Sequence, residues 1–228
     1  MNQQPMVSII LPIRNEAGNL AGCIDRIAVQ TYPREKMEIL VSDGQSTDDS
    51  LTVLEKADRR GIPLRILRVP SLGRSQGLNV AIREAAGEVI LRLDARTIIQ
   101  PDYVEKCIAT LIETGADNVG GVQRPVAKTL KEEAVGVAFS HPFGVGNADF
   151  RLGQTSGYVN SVYLGCFRRE VFERVGLFDE TASVISEDSD LNQRIRETGG
   201  KVFLNKDIIA YYRPRGSLHP CHDHGHPP

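Results

Sequence analysis

The stretch Val7-Ser8-Ile9-Ile10-Leu11-Pro12-Ile13, with Leu20, Cys23, Ile24 and Ile27 behind it, decides the fold class. The first part is an almost unbroken apolar run, which reads as a strand buried on both faces. The four apolar residues after it recur at i, i+3, i+4 and i+7, which is one face of a helix. The pattern then repeats along the chain. Residues 38–41 read as a second strand, Ser46-Thr47-Asp48-Asp49 as a helix start, and Leu51, Leu54 and Ala57 as its apolar face until Gly61 and Pro63 stop it. Residues 64–69 make a third strand, Leu78, Ala81, Ile82 and Ala85 a helix ending at Gly87, and residues 89–93 a fourth strand. Pro101 opens a helix whose Val104, Cys107, Ile108, Leu111 and Ile112 form a stripe up to Gly115, and residues 119–122 read as a fifth strand.

Strands alternating with helices of this length predict an α/β fold with a mostly parallel central sheet covered on both faces. In such sheets ligands bind outside the carboxyl ends of the strands, which points at residues 14–16, 42–44, 71–75 and 94–96. The second half differs. Residues 124–162 are rich in Gly, Pro and Ser and read as loops and irregular strands over the sheet. Order returns with a strand at 162–167, a short helix at 168–175 closed by Gly176, a helix near 188–197 closed by Gly199-Gly200, and strands at 201–204 and 208–212. The expected organisation is one domain over residues 1–212, with halves at 1–123 and 124–212 and a flexible tail at 213–228.

At 228 residues and 41% hydrophobic composition the chain can bury one sizeable core. A net charge of -2 argues against a dedicated nucleic-acid binder, which would carry a basic field on one face. Four of the five histidines, His219, His222, His224 and His226, crowd the end and leave only His141 in the body. Catalysis must therefore rest on carboxylates, hydroxyls or a metal. The four cysteines show no CxxC spacing, which fits buried, inert thiols in a reducing cytoplasm. No signal peptide opens the sequence, and no apolar run reaches the ~18 residues that span a bilayer.

Three constellations carry chemistry. Asp43-Gly44 ends the second strand, where a carboxylate can accept from an N–H of a ligand; capping of the turn is the alternative. Asp94 emerges where Leu91-Arg92-Leu93 stops, placed to hold a divalent cation. Asp188 lies three and seven residues before Leu191 and Ile195, so it shares their buried face at a helix N-terminus, whose N–H groups keep it ionised as a general base would need. The same segment also reads as an ordinary acidic first turn with Glu187 and Asp190 in solvent.

In order and spacing, Pro12 to Glu16, Asp43-Gly44-x-Ser46-Thr47-Asp48, Asp94-x-Arg96 and Glu187-Asp188-x-Asp190-Leu191-x-x-Arg194 resemble the inverting glycosyltransferases of family 2, which have the GT-A fold. The segments 115–121, 140–146 and 163–170 are similar to succinoglycan-type exopolysaccharide glucosyltransferases. The resemblance implies a nucleoside pocket lined by Pro12, Arg14 and Glu16, a base contact from Asp43, Arg74 near the base or phosphates, and Asp94 as first acid of an Asp-x-Asp metal motif. It implies Asp188 as catalytic base, a UDP-sugar donor such as UDP-glucose, Mg2+ or Mn2+, a lipid-linked saccharide acceptor, polysaccharide assembly partners, and work at the inner face of the cell membrane.

One departure stands out. Arg96 replaces the second acid, and a guanidinium cannot ligate a cation. Either Asp94, diphosphate and water hold the metal, or Arg96 itself neutralises the diphosphate, so weak metal dependence is expected. A nucleotide-sugar-binding subunit without turnover is the rival from another class, and a dehydrogenase lacks any GxGxxG after a strand. His141 reads as structural or solvated, Gly120-Gly121 as room for a hexose, and Tyr211 and Tyr212 as packing. The run from His219 reads as foreign to the family, so truncation or an altered reading frame from about His219, ahead of membrane-associated helices, is expected, and Cys221 with its neighbouring histidines reads as a loose metal binder at most.

Overall fold

The computed structural model describes residues 4–70, 73–126, 155–181 and 187–212. The apolar run at the start is strand β1 (Val7–Ile13), and its side chains divide by period two. Val7, Ile9, Leu11 and Ile13 join one core, with α1 (Ala17–Ala28) and α4 (Tyr103–Thr114) covering it; Ile10 joins the other, beneath α3 (Arg74–Glu84). Leu20, Cys23, Ile24 and Ile27 of α1 are buried as their spacing predicts. Gly115 ends α4 in the left-handed region at φ 64°, a conformation that suits glycine at a helix terminus.

Between these elements lie β2 (Met37–Asp43), α2 (Ser50–Lys56), β3 (Leu64–Arg68), β4 (Val89–Arg92) and β5 (Thr97–Ile99). The second half supplies β6 (Asn118–Pro125), β7 (Gly157–Tyr158), β8 (Tyr163–Arg168), α5 (Glu170–Val175), α6 (Glu187–Glu197) and β9 (Val202–Tyr212). All nine strands form one sheet in the order β3-β2-β1-β4-β8-β6-β9-β5, with β7 on β9. Strands β1, β2, β3, β4, β6 and β9 run one way, and β5, β7 and β8 run against them. The chain reverses its strand order at β1, between β2 and β4, and the switch point where sheets of this kind bind ligands lies beyond Ile13, Asp43 and Arg92.

Some expectations change. The two strands foreseen at 201–204 and 208–212 are one strand, β9, whose polar Lys206 and Asp207 are exposed midway. Strand β5 was not foreseen; it pairs Thr97 to Ile99 with Tyr212 to Ala210. Gly120 and Gly121 make room for protein rather than sugar. A Cβ on Gly120 would lie 2.4 Å from the Val162 Cβ, and one on Gly121 would lie 2.2 Å from the Ile208 carbonyl oxygen. His141, Ser186 and the tail from residue 213, with Cys221 and its neighbouring histidines, lie outside the described residues. Among the described residues no helix is long and apolar enough to cross a membrane.

Candidate active site

The loops after β1 and β2 are tied into one rim. The Asn15 N–H donates to Ser46 Oγ at 2.9 Å, the Thr47 N–H donates to Asn15 Oδ1 at 2.8 Å, and the Glu16 N–H donates to Ser50 Oγ at 2.9 Å. Asn15 and Gln45 both take positive φ, 53° and 61°, to make these turns. Asp48 accepts the Ala17 N–H at 3.1 Å, and its bonds to Ser50 hold its carboxyl below the usual carboxylate range. Asp43, buried at the end of β2, accepts the Ser46 N–H at 3.2 Å. That bond caps the turn after β2. Pro12 lies half-buried in β1, and Arg14 is exposed at its exit.

Glu16 does not stay on this rim alone. Arg96, just beyond β4, donates its Nε to both Glu16 oxygens, at 2.9 and 3.1 Å, and Asn19 donates to Oε2 at 2.7 Å. Two residues expected near the donor are thus brought together, 80 positions apart in sequence.

The centre of the site is an arginine that spacing alone passed over. Arg92 ends β4 with only 2% of its side chain exposed. Its Nη1 pairs with Asp188 Oδ1, its Nη2 reaches Glu187 Oε1 at 3.0 Å, and Asp94 Oδ1 lies 3.6 Å from that same nitrogen. Arg74, the first residue of α3 rather than a loop residue, adds a contact to Glu187 at 3.4 Å. Glu187 is therefore an ion-pair partner and not a solvated first-turn acid, while Asp190 pairs with Arg194 at 2.7 Å. The sequence did hold one signal for Arg92. A charged residue in a strand buried at every position requires carboxylate partners.

Electrostatics follow from this crowding. Burial pushes the Asp188 carboxyl up to about 6; Arg92 pulls it down, and Glu187 and Asp94 push it further up. One guanidinium shared among three carboxylates does not offset burial at Asp188, although the same three carboxylates drive the Arg92 pKa upward. Asp188 is thus held by Arg92 more than by the helix N-terminus expected to keep it ionised. For Glu187 burial acts upward, but Arg92 and Arg74 win and its carboxyl sits below the usual range. Burial pushes the Cys23 thiol up to about 12, as an inert core thiol requires.

A divalent cation fits this site in one manner. Glu187 and Asp188 already serve Arg92, position 96 is a guanidinium, and among the described residues no three Asp, Glu, His or Cys side chains are grouped to hold a metal. Asp94 remains, a quarter exposed at the strand end. One carboxylate with diphosphate oxygens and water is a common magnesium arrangement.

Comparison with known proteins fits this geometry. The profile of Glycosyl transferase family 2 matches residues 8–176. The chain is 26% identical over 214 residues to the succinoglycan biosynthesis protein ExoA of Rhizobium meliloti, covering 93% of this chain and 64% of that protein. It is 25% identical over 219 residues to a dolichyl N-acetyl-alpha-D-glucosaminyl phosphate 3-beta-D-2,3-diacetamido-2,3-dideoxy-beta-D-glucuronosyltransferase of Methanococcus voltae, covering 93% of this chain and 68% of that one. The chain thus spans about two thirds of the length of these relatives. Among solved structures, the mannosyltransferase PcManGT of Pyrobaculum calidifontis in complex with GDP-Man and Mn2+ superposes with a TM-score of 0.72 at 23% identity, over 91% of this chain and 56% of that one. S. aureus TarS in complex with UDP-GlcNAc does so with a TM-score of 0.71 at 20% identity, over 93% and 60%. The fold is the GT-A fold that the resemblance implied.

Proposed function

The chain belongs to glycosyl transferase family 2, and on that premise we propose that it is an inverting glycosyltransferase that moves a hexose from a UDP-sugar, UDP-glucose first, to a lipid-linked saccharide in polysaccharide assembly. One observation carries the reading. Asp188, from the second half of the chain, stands with Asp94 around a single buried arginine at the carboxyl ends of the strands. Residues 1–123 then serve the donor and residues 124–212 the acceptor. Asp43 accepts an N–H of the base, Pro12, Arg14 and Glu16 line the nucleoside pocket, and Arg74 faces the phosphates.

In the transfer step an acceptor hydroxyl attacks the anomeric carbon from the face opposite the diphosphate. Its proton passes to Asp188, the bond from the anomeric carbon to the phosphate oxygen breaks, and the sugar inverts. Asp94 would hold a Mg2+ or Mn2+ ion, which when bound supplies positive charge to the diphosphate. Arg96 adds a fixed positive charge beside it, with Glu16 holding Nε and setting the plane of the guanidinium. The name of the succinoglycan relative supports polysaccharide assembly; work at the inner membrane face is carried over from the family resemblance alone.

A thermal-shift screen of nucleotide diphosphates and their sugars, with and without manganese, tests the donor. At one hundred times Kd a ligand stabilises by about 2.7 kcal/mol, so UDP and UDP-glucose should raise Tm clearly. No shift with any nucleotide sugar would overturn the reading. A binding subunit without turnover, which the loss of the second acid would suit, would show the shift but release no UDP.

A further inference from the structure

The geometry points to Arg92 as the residue that positions the base, holding one oxygen of Asp188 so that the other faces the acceptor hydroxyl. This rests on the transfer reading above and names a part of its site that the motifs do not contain. Four observations support it.

The first is placement. Arg92 is fixed at its backbone, opposite Ile10 in the parallel ladder between β1 and β4, and its side chain is almost wholly buried. A guanidinium rooted in the central sheet is a rigid reference point, whereas Asp188 arrives on the first turn of a helix from the other half of the chain.

The second is the division of the fork. Nη1 goes to Asp188 and Nη2 to Glu187, so the planar guanidinium sets the two neighbouring carboxylates at once. Among the described residues Arg92 is the one hydrogen-bond donor to Asp188, and it takes Oδ1. Among the described residues no donor takes Oδ2, and in the proposed step that oxygen accepts the proton.

The third is the support behind the arginine. The Phe178 ring centroid lies 6.0 Å from the guanidinium carbon. Phe178 is itself held by buried Asn79, which accepts its N–H at 3.0 Å and donates to its carbonyl at 2.8 Å. A line of contacts therefore runs from α3 through Phe178 to Arg92 and Asp188.

The fourth is that stability does not account for the arrangement. Buried ion clusters are weak stabilising devices, often replaceable by apolar side chains at no loss. Here Arg92 Nε is buried and finds no acceptor among the described residues, which adds a cost of its own. A local rule broken this way is characteristic of functional sites.

The test is Arg92→Lys, assayed with UDP-glucose beside the wild-type protein for UDP binding, donor KM and kcat. Lysine keeps the charge but, as a single ammonium on a flexible stem, cannot set two carboxylates in one plane. The expected result is UDP affinity and donor KM within about twofold of wild type, with kcat lower by roughly 10²-fold, the scale of a 1 Å misplacement of a reacting group. In Arg92→Ala, added methylguanidinium should restore part of kcat and ethylammonium should not. If Arg92→Lys does not fold, the charge-balanced pair Arg92→Gln with Glu187→Gln carries the same test. Wild-type kcat in either folded variant, or kcat and UDP affinity falling together by the same factor, would overturn the assignment of Arg92 alone. Absence of transfer in the wild-type protein would overturn the transfer reading and this one with it.

Discussion

Acidification from pH 7 to pH 5 is expected to slow transfer about tenfold without unfolding the protein. Asp188 can take a proton only when ionised, and burial with Glu187 and Asp94 nearby sets its carboxyl at about 6 against the pull of Arg92. A group titrating there is about nine tenths ionised at pH 7 and about one tenth at pH 5, which gives the tenfold ratio. Stability moves the other way on this residue's account. Its folded-state pKa is raised, so its contribution is fully present below the unfolded value near ~3.9 and is lost as the pH rises through about 6. Glu187, whose folded pKa is lowered, contributes stability above its unfolded value and loses it on acidification. A melting curve at each pH therefore accompanies the rates. The assay is initial-rate UDP release with saturating UDP-glucose and acceptor from pH 4.5 to 8. A rate that is flat from pH 5 to 7 while the protein stays folded, or an acid limb centred near 4, would refute the assignment of the limb to Asp188.

Two further outcomes are expected. Asn79→Ala removes the side chain that satisfies both backbone groups of Phe178, so stability should fall by roughly 2 kcal/mol or more and Tm by at least about 4 °C; kcat should fall with it, since Phe178 backs Arg92, and an unchanged melt would show that the amide contributes nothing. In excess chelator the enzyme should keep measurable transfer because Arg96 stands where a second metal acid would be, and Arg96→Ala should then abolish what remains; complete loss of wild-type activity in chelator would sink the arginine's role at the diphosphate.

Much of the fold was legible because the first half is built from local periods. The β1 run and the α1 stripe each name their own burial, and Gly115 marks the end of α4 by its backbone conformation. Strand β5 was not legible, since three residues carry no period and exist as a strand only through Tyr212, Tyr211 and Ala210 far along the chain. Strand β9 read as two because Lys206 and Asp207 look like a break, although a strand exposed midway tolerates polar residues there. At the site, Asp94 and Asp188 could be picked out because strand ends and helix starts are local signals. The partner of Asp188 could not, because Arg92 lies 96 residues earlier and its meaning depends on which carboxylates the sheet brings to it.

The central claim is that Asp188 takes the acceptor proton, and Asp188→Asn tests it most directly. Asparagine keeps the shape and an oxygen for Arg92 but is not a base, so the fold and UDP affinity should persist while kcat for hexose transfer falls by roughly 10²- to 10⁴-fold. Transfer at the wild-type rate by folded Asp188→Asn protein would contradict the account.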